Sequence, residues 1–332
     1  MTWFQQLTGF HEVSPNQVRE NITIDGDTLT SRVNGNLFTC GRLEIPSLAE
    51  LRERVRACER VAGKISAREV VANVQDLHVQ KSNTNSLFQV ASQFNLLEMV
   101  SPNVTPERGI GIYENDRTQG PACAIACGAG TMYRNYFAIV NGSIGQSAEN
   151  QIDCLADIGT ALNNSGNRLW EMRNGYALAF HDGLAEISKR LQMSSEDELD
   201  ELRQLLRIGI QWNTQVTISA SRHTVSQVYC SALPVAYSNH SSELWENFAR
   251  LILDASYEAT ICAAILNLQA TGNNRVFLTL LGGGAFGNAS EWITAGIKRA
   301  LNLYKDWNLD VAIVSYGASK QSVRQLVDPF SK

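Results

Sequence analysis

No cluster of lysine and arginine gathers into a basic stripe anywhere in the 332 residues, and 28 basic residues face 33 acidic ones, for a formal net charge of −5. A general nucleic-acid binder needs the opposite balance, so no nucleic-acid partner is expected. No window approaches the ~18 uninterrupted apolar residues of a membrane helix. The opening stretch MTWFQQLTGF, Met1 to Phe10, has neither the basic start nor the apolar region of a secretory signal. A cytoplasmic location without a membrane partner is the expectation. CxxC pairs are absent too. The seven cysteines, Cys40, Cys58, Cys123, Cys127, Cys154, Cys230 and Cys262, are odd in number and scattered, which argues against a disulfide framework or a zinc site. His78, His181, His223 and His240 show no metal-ligand spacing, and Ser143 in NGSIG lacks the GxSxG frame of a nucleophile elbow. No metal or cofactor is expected. Neither an internal repeat nor a low-complexity linker interrupts the chain.

What is present reads as an ordinary globular protein, 44% hydrophobic and 18% charged, large enough for one big core or two smaller ones. Alternation in Asn21 to Phe38, with Asp25-Gly26 and Asn34-Gly35 as turn pairs, predicts a β-meander. A helix follows over about 47–62, where Ser47 and Glu50 fit a capping box. Further on, the patterns predict a strand over 69–78, a helix over 86–99, a short strand over 109–113, a buried piece near 123–126 and a helix over 148–164. Residues 184–212 read as helical with a break at 192–195, where Ser195 and Glu198 again fit a capping box. A strand enters a turn over 225–236, a long amphipathic helix covers 244–270, and strands at 276–281 and 311–316 bracket a helix over 291–304. Alternating elements with near-continuous apolar strands predict an α/β fold with a mixed, largely parallel sheet flanked by helices. The expected division is an N-terminal β/α extension over 1–65 and a main domain over 66–332 with a helical insertion around 184–212.

Two stretches carry chemistry. In VFLTLLGGGAFGNASEW, an apolar run meets four glycines within Gly282 to Gly287, followed by a helical pattern. Strand, glycine turn and helix start together make an anion site from unpaired N–H groups and the helix dipole. Gly282-x-Gly284-x-x-Gly287 also matches the dinucleotide fingerprint, which raises a Rossmann dehydrogenase as a rival. Only 45 residues remain after Gly287, however, too few for the rest of such a fold, and Asp310 precedes the last strand where the ribose-binding acid should follow it. A P-loop fails because no Lys-Ser/Thr pair follows the glycines. Far upstream, KSNTNSLFQVASQFNLLEM places Asn83, Asn85, Gln93, Asn95 and Glu98 in one stretch, where amides suit sugar hydroxyls. The turn YENDRTQGP then brings Glu114, Asp116 and Gln119 close in sequence, with Glu107 just before it. Two carboxylates on one site permit general-base chemistry on water or a grip on a guanidinium. Taken singly, Glu98 fits a solvated helix face, Asp116 fits an Asx-turn, and Tyr133, Tyr136 and Phe137 fit core packing as well as a ligand cleft.

In this order, NTNSLFQVASQFNLLEM, YENDRTQGPACAIACGAGTMYRNYF, VYCSALPVAY and LLGGGAFGN resemble the macrodomain family, and within it the MavL-like branch of arginine-ADP-ribose hydrolases. The blocks span about 79–301 and leave the first ~65 residues outside the resemblance. The resemblance implies an ADP-ribose-binding α/β fold that hydrolyses mono-ADP-ribose from protein arginine side chains, ubiquitin among its protein partners. A reader that binds ADP-ribosylated proteins without cleaving them is the alternative. Gly282, Gly283, Gly284, Ala285, Phe286, Gly287 and Asn288 would then wrap the diphosphate. Asn83, Asn85, Gln93, Asn95 and Gln119 would line the ligand, with Asp116, Glu98 and Glu107 as catalytic acids and Asp76 as an adenine contact. The usual glycine run of the ribose loop is replaced by polar Ser82 to Ser86, and Glu98 has no adjacent glutamate. Release of single ADP-ribose units is therefore expected over cleavage of polymer ends.

Overall fold

The turn pairs of the first forty residues shape a small antiparallel sheet, in which β1 (Ile22–Asp25), β2 (Thr28–Ser31) and β3 (Leu37–Thr39) meander as their alternation predicts. This computed structural model describes residues 1–331. The main sheet has seven strands, β4 (Arg42–Glu44), β5 (Ser66–Val71), β6 (Leu87–Ala91), β11 (Gly209–Gln215), β12 (Thr224–Cys230), β13 (Arg275–Thr279) and β14 (Asp310–Ser315), in the order β4-β11-β12-β6-β13-β14-β5. Between β6 and β11 the chain forms two small hairpins, β7 (Ile139–Val140) with β8 (Ser143–Ile144) and β9 (Trp170–Arg173) with β10 (Tyr176–Ala179). Strands β12, β6, β13, β14 and β5 run parallel, and only β11 and its pairings are antiparallel. The fold is thus mixed α/β with a largely parallel sheet.

Central strands are buried along nearly their whole length, as helices on both faces require. The helix Ser242–Thr271 packs against Leu48–Arg56, His181–Met193 and Ser290–Leu303, while Gln119–Ala126 and Gly128–Tyr136 pack against β6 and β11. By length and composition Ser242–Thr271 could cross a membrane, but 89% of its most apolar window is buried inside the protein. It is the central core helix. Both capping boxes form, at Ser47 with Glu50 and at Ser195 with Glu198.

Several local expectations are corrected. Residues 86–99 are not a helix: Leu87–Ala91 is the middle strand β6, flanked by β12 and β13, and the rest is irregular. Ladder pairing on both edges overrides the helix-like spacing of its polar residues. One of those, Gln89, is buried and donates from Nε2 to the Thr260 hydroxyl at 2.8 Å. The strand over 69–78 stops at Val71, and Val74–Val79 is a helix capped by Asn73. Residues 111–115 form a 3₁₀ turn rather than a strand, and 123–126 belong to the helix Gln119–Ala126. Only Ala156–Ala161 is helical within 148–164. The 184–212 stretch comprises His181–Met193, Glu196–Gln204 and the start of β11. Within the extension drawn over 1–65, β4 pairs with β11 and Leu48–Arg56 packs on the core helix, so residues 42–56 are part of the main sheet and its cover.

His78 illustrates what this core demands. Its ring stacks on Phe88 at 3.9 Å, Nδ1 donates to the Val74 carbonyl at 2.8 Å, and Nε2 faces Gln227 Nε2 at 3.1 Å. A carbonyl only accepts, so Nδ1 carries the proton and Nε2 is the acceptor for the amide. Protonation would set two donors face to face, and burial lowers the pKa from 6.5 to about 4. The unfolded chain therefore binds more protons in that window, and stability falls as pH drops from 6.5 towards 4, by about 3 kcal/mol in all. Melts between pH 4.5 and 7.5 should show this slope in the wild type and a flatter one in His78→Gln.

Candidate active site

The carboxyl ends of β6, β13 and β14 and the segment leaving β12 open onto one cleft of about 1110 Å³, its solvent-filled mouth included. That is the crevice where open parallel sheets bind ligands. Ala91, Ser92 and Gln93 form one wall, Thr279 to Phe286 another, and Asp116 to Pro121 with Glu98 the floor and rim.

The acids come from the irregular chain that follows β6. Gln93 clamps this segment by donating from Nε2 to the Met99 carbonyl at 3.2 Å and accepting the Met99 N–H at 2.9 Å. Inside the clamped loop, Leu96 takes φ +65° and the Asn95 Oδ1 accepts the Leu97 N–H at 3.1 Å. The result places Glu98 on the cleft with only 4% of its surface exposed, its own N–H donating to the Tyr113 hydroxyl at 2.9 Å. Its Oε1 is buried without a partner. Burial raises the Glu98 pKa well above the ordinary value, Arg134 pulls it back, and Asp116 raises it further. Helix Gln119–Ala126 can approach only because residue 120 is glycine, since a Cβ there would lie 2.2 Å from the Ala91 carbonyl oxygen and 2.6 Å from Glu98 Oε2.

Arg134 is itself fully buried and has no carboxylate partner among the described residues. It lies 3.5 Å over the Tyr229 ring, donates from Nε to the Leu96 carbonyl and from Nη2 to Thr131, and leaves Nη1 unpaired. A buried cation without a counter-ion is costly, and here its field acts on Glu98. Asp116 differs from both. It is half-exposed, and its Oδ1 accepts the Thr118 N–H at 2.8 Å in an Asx-turn that starts the helix beyond.

Across the cleft, the loop after β13 is folded by its own backbone. Gly283 N–H donates to the Leu280 carbonyl, Gly287 N–H to Gly284 and Asn288 N–H to Gly282. Gly282 at φ +73° and Gly287 at φ +70° need left-handed backbone, and their missing side chains admit Ala232 and Ala236, which a Cβ would meet at 2.5 and 2.8 Å. The Asn288 amide donates to the Leu233 carbonyl at 2.8 Å, tying the loop to the chain beyond β12. With these bonds made, the N–H groups of Gly282, Gly284, Ala285 and Phe286 have no acceptor among the described residues. Such a row of free main-chain donors is an anion cradle.

The cleft therefore brings together Gln93, Glu98, Asp116, Gln119, Gly282, Gly283, Gly284, Ala285 and Phe286. Gly287 and Asn288 lie behind it and shape the loop. Gln119 lines the wall while its Oε1 accepts the Val74 N–H at 3.0 Å. Asn83 and Asn85 sit at the opposite end of β6. There Asn83 donates to the Leu77 carbonyl and accepts from Arg275, and Asn85, at φ +60°, bonds Thr224 and Asn267. Asn95 is buried and its amide donates to Gln151, Glu107 is exposed and accepts the Ala148 N–H at 2.8 Å, and Asp76 is exposed on the helix Val74–Val79. Tyr136 and its neighbours Tyr133 and Phe137 pack in the N-terminal core cluster instead of the cleft.

Sequence reasoning missed the aromatic side of the site. Tyr176, Tyr237 and Phe286 form a cluster with centroids 5.2 to 5.6 Å apart, and Tyr316 with Lys320 borders the mouth. Only the period-two pattern of Trp170 to Ala179 around Asn174-Gly175 could have signalled the hairpin that delivers Tyr176. Among the described residues no group of three or more His, Cys, Asp or Glu could hold a metal.

No protein-family model and no curated protein matches the sequence. Among solved structures the chain is similar to poly(ADP-ribose) glycohydrolase from Deinococcus radiodurans in complex with ADP-ribose, at 10% identity and a TM-score of 0.49 over 87% of this chain and 94% of that one. It is also similar to the Thermomonospora curvata poly(ADP-ribose) glycohydrolase bound to the inhibitor ADP-HPD, at 10% identity and a TM-score of 0.44 over 94% of each chain.

Proposed function

We propose that the cleft binds ADP-ribose and that the protein hydrolyses the N-glycosidic bond joining mono-ADP-ribose to protein arginine. One observation carries the reading: a backbone anion cradle and two carboxylates of different exposure face the same cleft. The cradle of Gly282 to Phe286 suits a diphosphate, and the faces of Tyr176, Tyr237 and Tyr316 suit sugar and base. In this scheme Glu98, shifted towards its ionised form by an arriving guanidinium, holds that cation. Asp116 takes a proton from the attacking water. The new C–O bond forms at the anomeric carbon as the C–N bond breaks, its electron pair stays on the guanidine, and the proton passes from Asp116 to that nitrogen. The arginine side chain leaves as guanidinium.

The test is direct. Purified protein is incubated with arginine-ADP-ribosylated ubiquitin and free ADP-ribose is quantified, with ADP-ribose binding followed by calorimetry. Release supports the proposal, and binding without release replaces it with a reader. Within the binding arm, Gly282→Val forces a left-handed valine against Ala232 and should weaken ADP-ribose by about 10- to 100-fold, equivalent to 1.4 kcal/mol per tenfold. Gly284→Ala, whose Cβ would meet nothing within 4 Å, is the control and should melt like the wild type.

A further inference from the structure

The N-terminal segment holds the acidic loop through Glu12 and Trp3. Glu12 lies in the short connection before the helix Pro15–Asn21. Its Oε1 accepts the Ile110 N–H at 3.0 Å and the Tyr136 hydroxyl, and its Oε2 accepts the Gly111 N–H at 2.6 Å. Gly111 has no room for a side chain on this face, because a Cβ would lie 2.8 Å from Glu12 Oε2. Trp3 adds two contacts to the same turn. Its N–H donates to Glu114 Oε2 at 3.1 Å and its indole Nε1 to the Ile110 carbonyl at 3.3 Å.

The gripped segment bonds to the backbone of both acids of the cleft. Tyr113 accepts the N–H of Glu98 on its hydroxyl, and its carbonyl accepts the N–H of Asp116 at 3.1 Å. A displacement of residues 110–113 is therefore felt at Glu98 and Asp116 together. The diphosphate cradle shares none of these bonds.

We propose that Glu12 is a positioning residue that, from outside the cleft, fixes the turn 110–116 so that Glu98 and Asp116 converge on one substrate. The assignment rests on the hydrolase reading above. It also gives the N-terminal segment a role in the chemistry of the main sheet. Burial raises the Glu12 pKa, an effect its three donors oppose. A carboxylate can accept from all three at once, whereas an amide in its place turns an N–H₂ towards at least one donor.

Glu12→Gln should shift the turn, and a misplacement on the order of 1 Å at reacting groups costs about 10²-fold in rate. In steady-state assays of ADP-ribose release we expect kcat to fall by roughly 10- to 100-fold, with KM and the calorimetric ADP-ribose Kd within about twofold of wild type. Hydrogen exchange at the Ile110 and Gly111 amides should accelerate at least about tenfold. Gly111→Ala, which presses on the carboxylate from the other side, should reproduce the kcat loss if Glu12→Gln folds poorly. Wild-type kcat in Glu12→Gln, unchanged exchange at the two amides, or an equal loss of ADP-ribose affinity overturns the positioning role. Wild-type protein that releases no ADP-ribose sinks the hydrolase reading instead, and the exchange measurement still decides whether Glu12 holds the turn.

Discussion

Asp116→Asn is expected to lower kcat for ADP-ribose release by roughly 10²- to 10⁴-fold, the usual worth of general-base help, while ADP-ribose affinity stays within about threefold. The separation of the two effects follows from what Asp116 does in the fold. Its side chain accepts the Thr118 N–H through Oδ1, and an asparagine Oδ1 accepts that N–H equally well. Turn and helix start survive, and only the basic oxygen is lost. Turnover at the wild-type rate would remove Asp116 from the chemistry and leave Glu98 as the base.

Glu98→Gln should abolish turnover to a similar extent and, unlike most active-site substitutions, stabilise the fold at neutral pH. Glu98 is buried with one oxygen unpaired, and its pKa is raised first by that burial, against the pull of Arg134. The sign follows from proton uptake. Because the folded value exceeds the unfolded 4.5, the stability Glu98 contributes is complete below pH 4.5 and is lost as pH rises through the folded value. Glutamine has no charge to bury. The melting temperatures of variant and wild type should thus lie closest in acid and separate as pH rises, by on the order of 2–4 °C per kcal/mol. A constant difference across the range would mean that Glu98 is better solvated than its surroundings imply. The Arg134 guanidinium supports the same picture, since a cation with no carboxylate beside it keeps Glu98 within reach of ionisation when a substrate cation arrives.

The parts of this chain that can be read from sequence are those decided locally. Ser47 with Glu50 and Ser195 with Glu198 are legible because a cap is made within four residues. The loop at Gly282 is legible because only glycine takes its backbone shape so close to neighbouring chain. Residues 86–99 are misread because pairing to β12 and β13, both far away in sequence, decides their state. That error carried the amides with it. Five residues of extended chain move the backbone from Asn83 and Asn85 at one end of the sheet to Gln93 at the other, so neighbours in sequence are not neighbours in space. Tyr176 and Tyr237 meet Phe286 only through the tertiary fold. Nothing local in the sequence marks Arg134 as a buried guanidinium.

A cradle built from main-chain N–H groups leaves its owner free to drift. The side chains at 284 and 285 can change without touching the donors, so selection has little to hold onto along the loop itself. What it must keep is a correspondence between distant positions: alanine at 232 opposite glycine at 282, and alanine at 236 opposite glycine at 287. Enlarging either alanine would push the loop from behind and close the cradle as surely as enlarging the glycine in front. Because both glycines also hold left-handed backbone, all four positions are confined to small residues, two by shape and two by space.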